Sequence, residues 1–316
     1  MIGIKGIASH IPEDAIDNIL QGKGFGETED FIHTKIGAAK LPRMKPDQDT
    51  SDLACLAVSA LFEKYPDLSA DKVDALVLVT QNPDGQGLPH TAAIIQHKLG
   101  LPPHVSAFDV SLGCSGFVYG LYIVKGLLEA SGLQNGVLVT CDPYSKVIRK
   151  GDRVTNLLFG DAATATWIGE QPKWRLGGVS YATDGAGAEH LMVANGALNM
   201  NGRQIFNFAA TRVAPHIEEL LRRQGIAPDE IDLYCLHQGS AAIISAISRK
   251  FPEIEDRFVL DLTDTGNTVS SSIPLLLEKH AFKDGPKRIL MCGFGVGLSM
   301  ASAIIFREEN YDRNVD

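Results

Sequence analysis

Cysteine is sparse and unpatterned in this chain. The five cysteines stand at 55, 114, 141, 235 and 292 with no Cys-x-x-Cys spacing, which excludes a zinc ribbon and a disulfide framework and fits a reducing compartment. Long apolar runs are also missing: Lys125 and Glu129 interrupt the best candidate for a membrane span. The first residues are too short and too interrupted for a signal peptide, so a cytoplasmic protein with no membrane part is expected. Positive charge is in deficit, with 29 Lys and Arg against 38 Asp and Glu for a net −9, which argues against a nucleic-acid partner. The patterns GxSxG, HExxH and the Walker loop do not occur, so esterase, zinc-protease and P-loop chemistries fall away and no metal site is expected.

What remains is an ordinary globular composition, 45% apolar and 21% charged over 316 residues, enough for one large α/β domain or two fused halves. Strand-like and helix-like segments alternate. Residues 2–8 suit a first strand, and 13–50 read as an irregular, polar covering segment. Asp49 to Asp52 cap an amphipathic helix. The runs 73–80 and 136–141 are nearly all β-branched or apolar, as strands buried on both faces are. Residues 184–202 are glycine- and alanine-rich, read as a loop over the site or as the boundary between halves. The pattern restarts near 208 with a helix to 224, strands at 231–236 and 258–260, and a glycine turn, Gly293 to Gly297, between two closing strands. Such alternation implies a largely parallel sheet with helices on its faces, and reactive groups in such sheets gather at the carboxyl ends of strands.

Cys114 is placed there, between the strand 105–110 and the apolar segment Phe117 to Ala130. A cysteine at a helix N-terminus gains from unpaired N–H groups and the helix dipole, which favour a thiolate. The bland reading of the same stretch is a buried core thiol. His237 directly follows a buried strand and precedes Gln-Gly-Ser, making it the counterpart of Cys114 in the second half. Asn267, between Gly266 and Thr268, has the look of either a helix N-cap or a site residue. Lys146, Arg149, Lys150 and Arg153 crowd into eight residues, as a phosphate-binding patch or as a solvated loop.

These pieces resemble, in order and spacing over nearly the whole chain, the β-ketoacyl-acyl-carrier-protein synthase III family of the thiolase superfamily. The matching segments are Asp109 to Phe117 (DVSLGCSGF), Phe159-Gly-Asp-Ala162, Met200 to Phe206 (MNGRQIF), His237-Gln238, Gly266-Asn-Thr268 and Gly293-Phe-Gly295. The resemblance implies a five-layer αβαβα fold of two similar halves, each with a mixed, largely parallel sheet. Those halves span 1–172, with the cysteine, and 173–316, with the histidine and asparagine. It implies a homodimer, and acyl-CoA with malonyl-CoA or a malonyl carrier protein as the partners, with no cofactor beyond coenzyme A thioesters.

By the same resemblance Cys114, acidified by its helix, takes an acyl group, and the backbone N–H groups of Cys114 and Val296 form an oxyanion hole. His237 and Asn267 then stabilise the enolate left when a malonyl thioester loses CO₂, and a β-ketoacyl product forms in fatty-acid or polyketide-like biosynthesis. Phe31 and Arg153 are implied to hold the coenzyme, and Phe159 and Phe206 belong to the same substrate-binding set. Leu88 falls where the family often closes the acyl pocket from the neighbouring subunit with phenylalanine, which suggests a longer or branched acyl chain. Ala242 replaces an arginine that helps dock the carrier protein, leaving Arg249, Lys250 or Arg257 as substitutes. Two other readings stay open: acyl transfer to another nucleophile without decarboxylation, and a non-catalytic subunit of a heterodimer.

Overall fold

The computed structural model describes residues 1–283 and 285–308. Its first half runs β1 (Ile2–His10), β2 (Ala15–Asp17), α1 (Asn18–Gly24), α2 (Glu29–Phe31), β3 (Lys40–Pro42), α3 (Thr50–Lys64), β4 (Ala75–Val79), α4 (Thr91–Lys98), β5 (Ser106–Val110), α5 (Gly116–Ser131), β6 (Asn135–Cys141), α6 (Arg153–Asn156) and β7 (Ala163–Glu170). The second runs β8 (Trp174–Thr183), β9 (Leu191–Ala194), β10 (Ala197–Met200), α7 (Gly202–Phe208), α8 (Ala214–Gln224), β11 (Leu233–Leu236), α9 (Ala241–Ser248), α10 (Ser272–His280), β12 (Arg288–Gly295) and β13 (Ser299–Arg307).

Among the described residues, nine strands join in the order β11-β12-β13-β8-β1-β7-β6-β4-β5. Within the sheet the two halves join where Gly3 and Ile4 of β1 pair with Arg175 and Trp174 of β8. On one side of that seam β5, β4, β6 and β1 run the same way and β7 opposes them. On the other, β11, β12 and β8 agree and β13 opposes. A parallel bridge from Phe258 to Tyr234 adds the short segment anticipated at 258–260 to the outer edge of β11. The second half therefore repeats the strand order of the first.

Each sheet segment is apolar on both faces because helices cover both. The alanine-rich faces of α3 and α4 (Ala54, Ala57, Val58, Ala92, Ile95) pack on the outer face of the first half. Helices α8 and α9 (Ile217, Leu221, Ile243, Ile247) cover the outer face of the second. Between the halves lie α5 and α10, whose Phe117, Leu121, Val124, Ile273 and Leu277 share one core with strands of both. The stack is five layers, αβαβα.

Three parts of the sequence reading change. Residues 13–50 hold α1, α2 and the β2–β3 ribbon, with Asp17 and Thr28 capping the two helices through their side chains. The segment 184–202 contains the β9–β10 hairpin, and residues 208–224 form a helix interrupted by a π turn at Ala209–Val213. The third concerns symmetry. Cys114 follows edge strand β5 and leads into α5, so its counterpart is the Asn267 segment, which follows 258–260 and leads into α10. His237 follows β11, whose counterpart is β4.

The loops around the site are tied across the halves. Ser115 Oγ meets Ser299 Oγ at 2.6 Å, and Ser271 Oγ, ahead of α10, donates to the carbonyl of Thr140 or Ala162. The turn Phe159-Gly160-Asp161 is clamped hardest. Asp161 accepts from Met44 N–H and from Ser145, while Gly160 N–H donates to Asn267 C=O and Asn267 N–H to Leu158 C=O. A Cβ on Gly160 would stand 2.0 Å from the carbonyl oxygen of Thr265. Gly160→Ala should therefore displace the Asn267 loop and cost about 1–3 kcal/mol of stability, as overpacking does, read from urea unfolding. An unchanged midpoint would show that the turn has room to give.

Candidate active site

Cys114 is 5% exposed, two residues ahead of α5. The turn that ends β12 presses against it: a Cβ on Gly295 would lie 2.7 Å from the sulfur, and Gly295 has φ +156°, which glycine tolerates best. The next amide, Val296 N–H, and the amide of Cys114 itself are both directed at the sulfur. Both N–H groups expected of an oxyanion hole thus lie beside the sulfur.

Burial works against the acidity expected of the thiol. Burial pushes Cys114 up to about 12, the nearby Asp142 carboxylate adds to that, and the two amides oppose it without prevailing. Desolvation of a thiolate costs more than two neutral N–H donors return. Asp142, at the end of β6, is itself buried and pushed up to about 6, although it accepts Gln81 N–H at 2.7 Å.

His237 is anchored by its N–H to Cys292 C=O, and the edge of its ring meets Phe294 at 5.5 Å and 83°. Burial lowers its pKa to about 4, so the imidazole is neutral at physiological pH. Nδ1 lies 2.7 Å from Ser272 Oγ. Asn267 accepts Val269 N–H on Oδ1 at 2.9 Å, and Nδ2 reaches Gly239 C=O at 3.5 Å. That pattern fixes which end of the amide donates, which an aspartate could not reproduce.

Cys114, His237 and Asn267 line one cleft, which encloses about 950 Å³ including its open mouth. Phe31, Arg153, Phe159 and Phe206 line it too, whereas Val296 lines the neighbouring cavity and Leu88 neither. Leu88 stands 93% exposed on the loop before α4 and contributes nothing to its own chain's cleft. Arg153 is held by an ion pair with Glu27. The cation cluster divides: Lys146 is spent on Asp49 and the carbonyls of Asn82 and Pro83, whereas Arg149 and Lys150 line a polar depression that shares Met200 and Gly202 with the cleft. Of the substitute docking cations, Arg257 is engaged by the carbonyls of Asp229 and Ile231.

Sequence reasoning missed Tyr144, Asp142 and Ser272. Tyr144 packs on Phe159 with ring centroids 4.7 Å apart and lines the cleft. Asp142 and Tyr144 follow a buried strand's carboxyl end, the rule that picked out Cys114 and His237, so that signal was available. Ser272 gave none, as one of three consecutive serines at a helix start.

Comparison with known proteins shows the family of the chain. Residues 108–185 match the family model of 3-oxoacyl-[acyl-carrier-protein (ACP)] synthase III, and residues 221–306 match the model of its C-terminal part. The β-ketoacyl-[acyl-carrier-protein] synthase III of Caldanaerobacter subterraneus subsp. tengcongensis is 32% identical over 96% of this chain and 97% of the relative. The Thermus thermophilus β-ketoacyl-[acyl-carrier-protein] synthase III structure is similar with a TM-score of 0.88 at 30% identity, over 97% of this chain and 99% of that one. The priming β-ketosynthase of the R1128 polyketide pathway gives 0.87 at 26% identity, over 98% and 97%.

The five-layer fold is that of thiolase-type condensing enzymes, as in a solved 3-oxoacyl-(acyl-carrier-protein) synthase III with a TM-score of 0.90 at 33% identity, over 96% of this chain and 99% of that one. Within that class the chain belongs to the β-ketoacyl-acyl-carrier-protein synthase III family, acyltransferases that carry out Claisen condensation. No helix among the described residues is long and apolar enough to cross a membrane.

The thiol's position has a measurable consequence. Alkylation of Cys114 by iodoacetamide, followed by peptide mass spectrometry, should be slower at pH 8 than that of free cysteine and should still be rising above pH 10. A rate that levels off below pH 8 would show that the helix dipole outweighs burial.

Proposed function

We propose that Cys114 accepts an acyl group from an acyl-CoA and that His237 and Asn267 drive its decarboxylative condensation with malonyl-CoA or a malonyl carrier protein. The observation that carries this reading is the meeting, in one cleft, of a buried thiol under two amides with a neutral imidazole and an oriented carboxamide. In the first step the sulfur, giving up its proton to solvent, attacks the thioester carbonyl, Cys114 N–H and Val296 N–H receive the oxyanion, and coenzyme A leaves as a thiolate that is protonated in solvent. In the second, loss of CO₂ leaves an electron pair on the malonyl methylene, delocalised onto the thioester oxygen. Nε2–H of His237 and Nδ2–H of Asn267 donate to that oxygen, each worth about 3 kcal/mol in the transition state. A neutral histidine suits this work, because it donates without protonating the carbanion. The carbanion then attacks the acyl-cysteine and the thiolate leaves. The scheme calls on no metal or redox group.

Arg153 and the Arg149–Lys150 depression at the mouth suit a nucleotide's phosphates, and Phe31 a stacked base. A second cavity lined by Gln81, Ser111, Tyr144, Leu191, Val193 and Val296 shares Tyr144 and Leu191 with the cleft. We assign the acyl chain to it, with Leu88 of a second copy as its lid in a homodimer. A leucine lid leaves more room than an aromatic one, which favours longer or branched chains.

Intact-protein mass spectrometry of the wild type and Cys114→Ala, with acyl-CoAs from acetyl to dodecanoyl, tests the reading. An acyl adduct is expected on the wild type alone, best with donors beyond acetyl, and addition of a malonyl thioester should discharge it with release of CO₂. His237→Ala or Asn267→Ala should leave the adduct and slow its discharge by about 10²–10³-fold. Discharge to another nucleophile without CO₂ would refute the condensing step, and strict acetyl use would refute the assignment of the acyl pocket.

A further inference from the structure

The cavity assigned to the acyl chain is not lined as a plain hydrocarbon would require. Gln81, Ser111 and Tyr144 share its lining with Val147, Leu191 and Val193. A saturated chain entering there strips water from the polar atoms and returns no hydrogen bond.

Gln81 and Tyr144 are held together. Tyr144, 3% exposed, donates its hydroxyl to Gln81 Oε1 at 3.3 Å, longer than the usual O–H···O distance of about 2.8 Å. The carbonyl end of the amide thus faces the tyrosine, and Nε2 has no partner among the described residues. Asp142 fixes the backbone beneath the pair by accepting Gln81 N–H at 2.7 Å. Burial, with Asp142 and Cys114 nearby, pushes the Tyr144 phenol well above its ordinary range, so it stays a hydroxyl. The pair also lies close to the nucleophile. A Cβ on Gly113, the residue before Cys114, would stand 2.6 Å from Gln81 Oε1 and 2.8 Å from a methyl of Val296, whose amide is directed at the sulfur.

We propose that Gln81 and Tyr144 select an acyl thioester that carries a hydroxyl on its third or fourth carbon. This rests on the acyl-loading reading above and narrows its substrate class. The substrate hydroxyl accepts from Gln81 Nε2–H and donates to a lone pair on Tyr144 Oη, while Tyr144 keeps its own bond to Gln81 Oε1. Every polar atom of the pair then has a partner. A ketone in the same place uses only the amide donor, and a methyl group uses neither. The position along the chain follows from Gly113. The thioester carbonyl sits at the sulfur, and the Gln81 amide lies one residue away, so the pair meets the chain near its thioester end and not at its tip. Val147, Leu191 and Val193 are left for the hydrocarbon beyond, in keeping with a longer or branched chain. A site that hydrogen-bonds a substrate hydroxyl rejects the analogue lacking it far better than an apolar pocket rejects an added hydroxyl.

The test is competition in one tube between donors of the same shape, read as the ratio of acyl-Cys114 adducts by peptide mass spectrometry. One pair is 3-hydroxybutanoyl-CoA against 3-methylbutanoyl-CoA, and the other is 4-hydroxybutanoyl-CoA against pentanoyl-CoA. In each, a hydroxyl replaces a methyl group and nothing else changes. The wild type should favour the hydroxylated donor about 10–100-fold in at least one pair. Tyr144→Phe and Gln81→Met, which nearly keep volume and each remove one partner, should bring that ratio to within a few-fold of unity. Both donors meet the same variant, so a loss of folded protein lowers both adducts and leaves the ratio intact. A wild-type ratio at or below unity in both pairs would overturn the assignment, as would a hydroxyl preference that survives both substitutions. Adducts from the methyl donors alone therefore strike only this inference. No adduct from any of the four donors, nor from the straight-chain series, would overturn the acyl-loading reading and this assignment with it.

Discussion

The contact on which the site depends is the backbone of Gly295-Val296 against the sulfur of Cys114. It joins the last hairpin of the second half to the nucleophile loop of the first, and it exists because glycine at 295 lets a main chain come where a Cβ would collide. Everything else positions the two sides of that contact. Helices α5 and α10 fill the space between the sheets, and Ser115 with Ser299 pins the start of α5 to β13. Leu158 and Gly160 fix Asn267 by backbone bonds in both directions. The carboxamide is thereby aimed by the main chain and not by a flexible side chain.

The protonation states follow from burial. The thiol is pushed up to about 12 and the imidazole down to about 4, so the resting pair is neutral on both sides. A thiolate–imidazolium pair would need two charges in a site walled by Phe159, Phe294, Leu158 and Ile243. Neutrality matches the work: the amides stabilise an oxyanion only when one develops, and His237 and Asn267 meet an enolate as donors already in place. Rate then comes from geometry fixed before the reaction.

Much of this was legible in the sequence, for reasons that can be named. Buried strands such as Ala75–Val79 announce themselves as unbroken apolar runs, and Cys114 and His237 stand at strand ends where open sheets expose reactive groups. The glycine-marked turns reported loops that pack too closely for a side chain. What was not legible depends on tertiary partners. The helices at 18–24 and 29–31 are short and polar, held by the caps Asp17 and Thr28 and by Asn18, whose amide bridges Ala38 and Leu157 carbonyls. The β9–β10 hairpin lies in a stretch whose glycine content hid its alternation. A helix start beside Cys114 is visible in a sequence, and the burial that opposes a thiolate there is not. Ser272 was invisible for the same reason, since only the folded chain brings it to His237.

The central claim is a division of labour across the seam, in which Cys114 carries the acyl group while His237 and Asn267 stabilise the enolate independently of it. The most direct measurement is CO₂ release from a malonyl thioester by Cys114→Ala with no acyl donor present, alone and combined with His237→Ala or Asn267→Ala. The account predicts that Cys114→Ala still decarboxylates while forming no condensed product, and that adding either second substitution abolishes the release. Release that survives both second substitutions, or that vanishes with Cys114 alone in a folded protein, would contradict it.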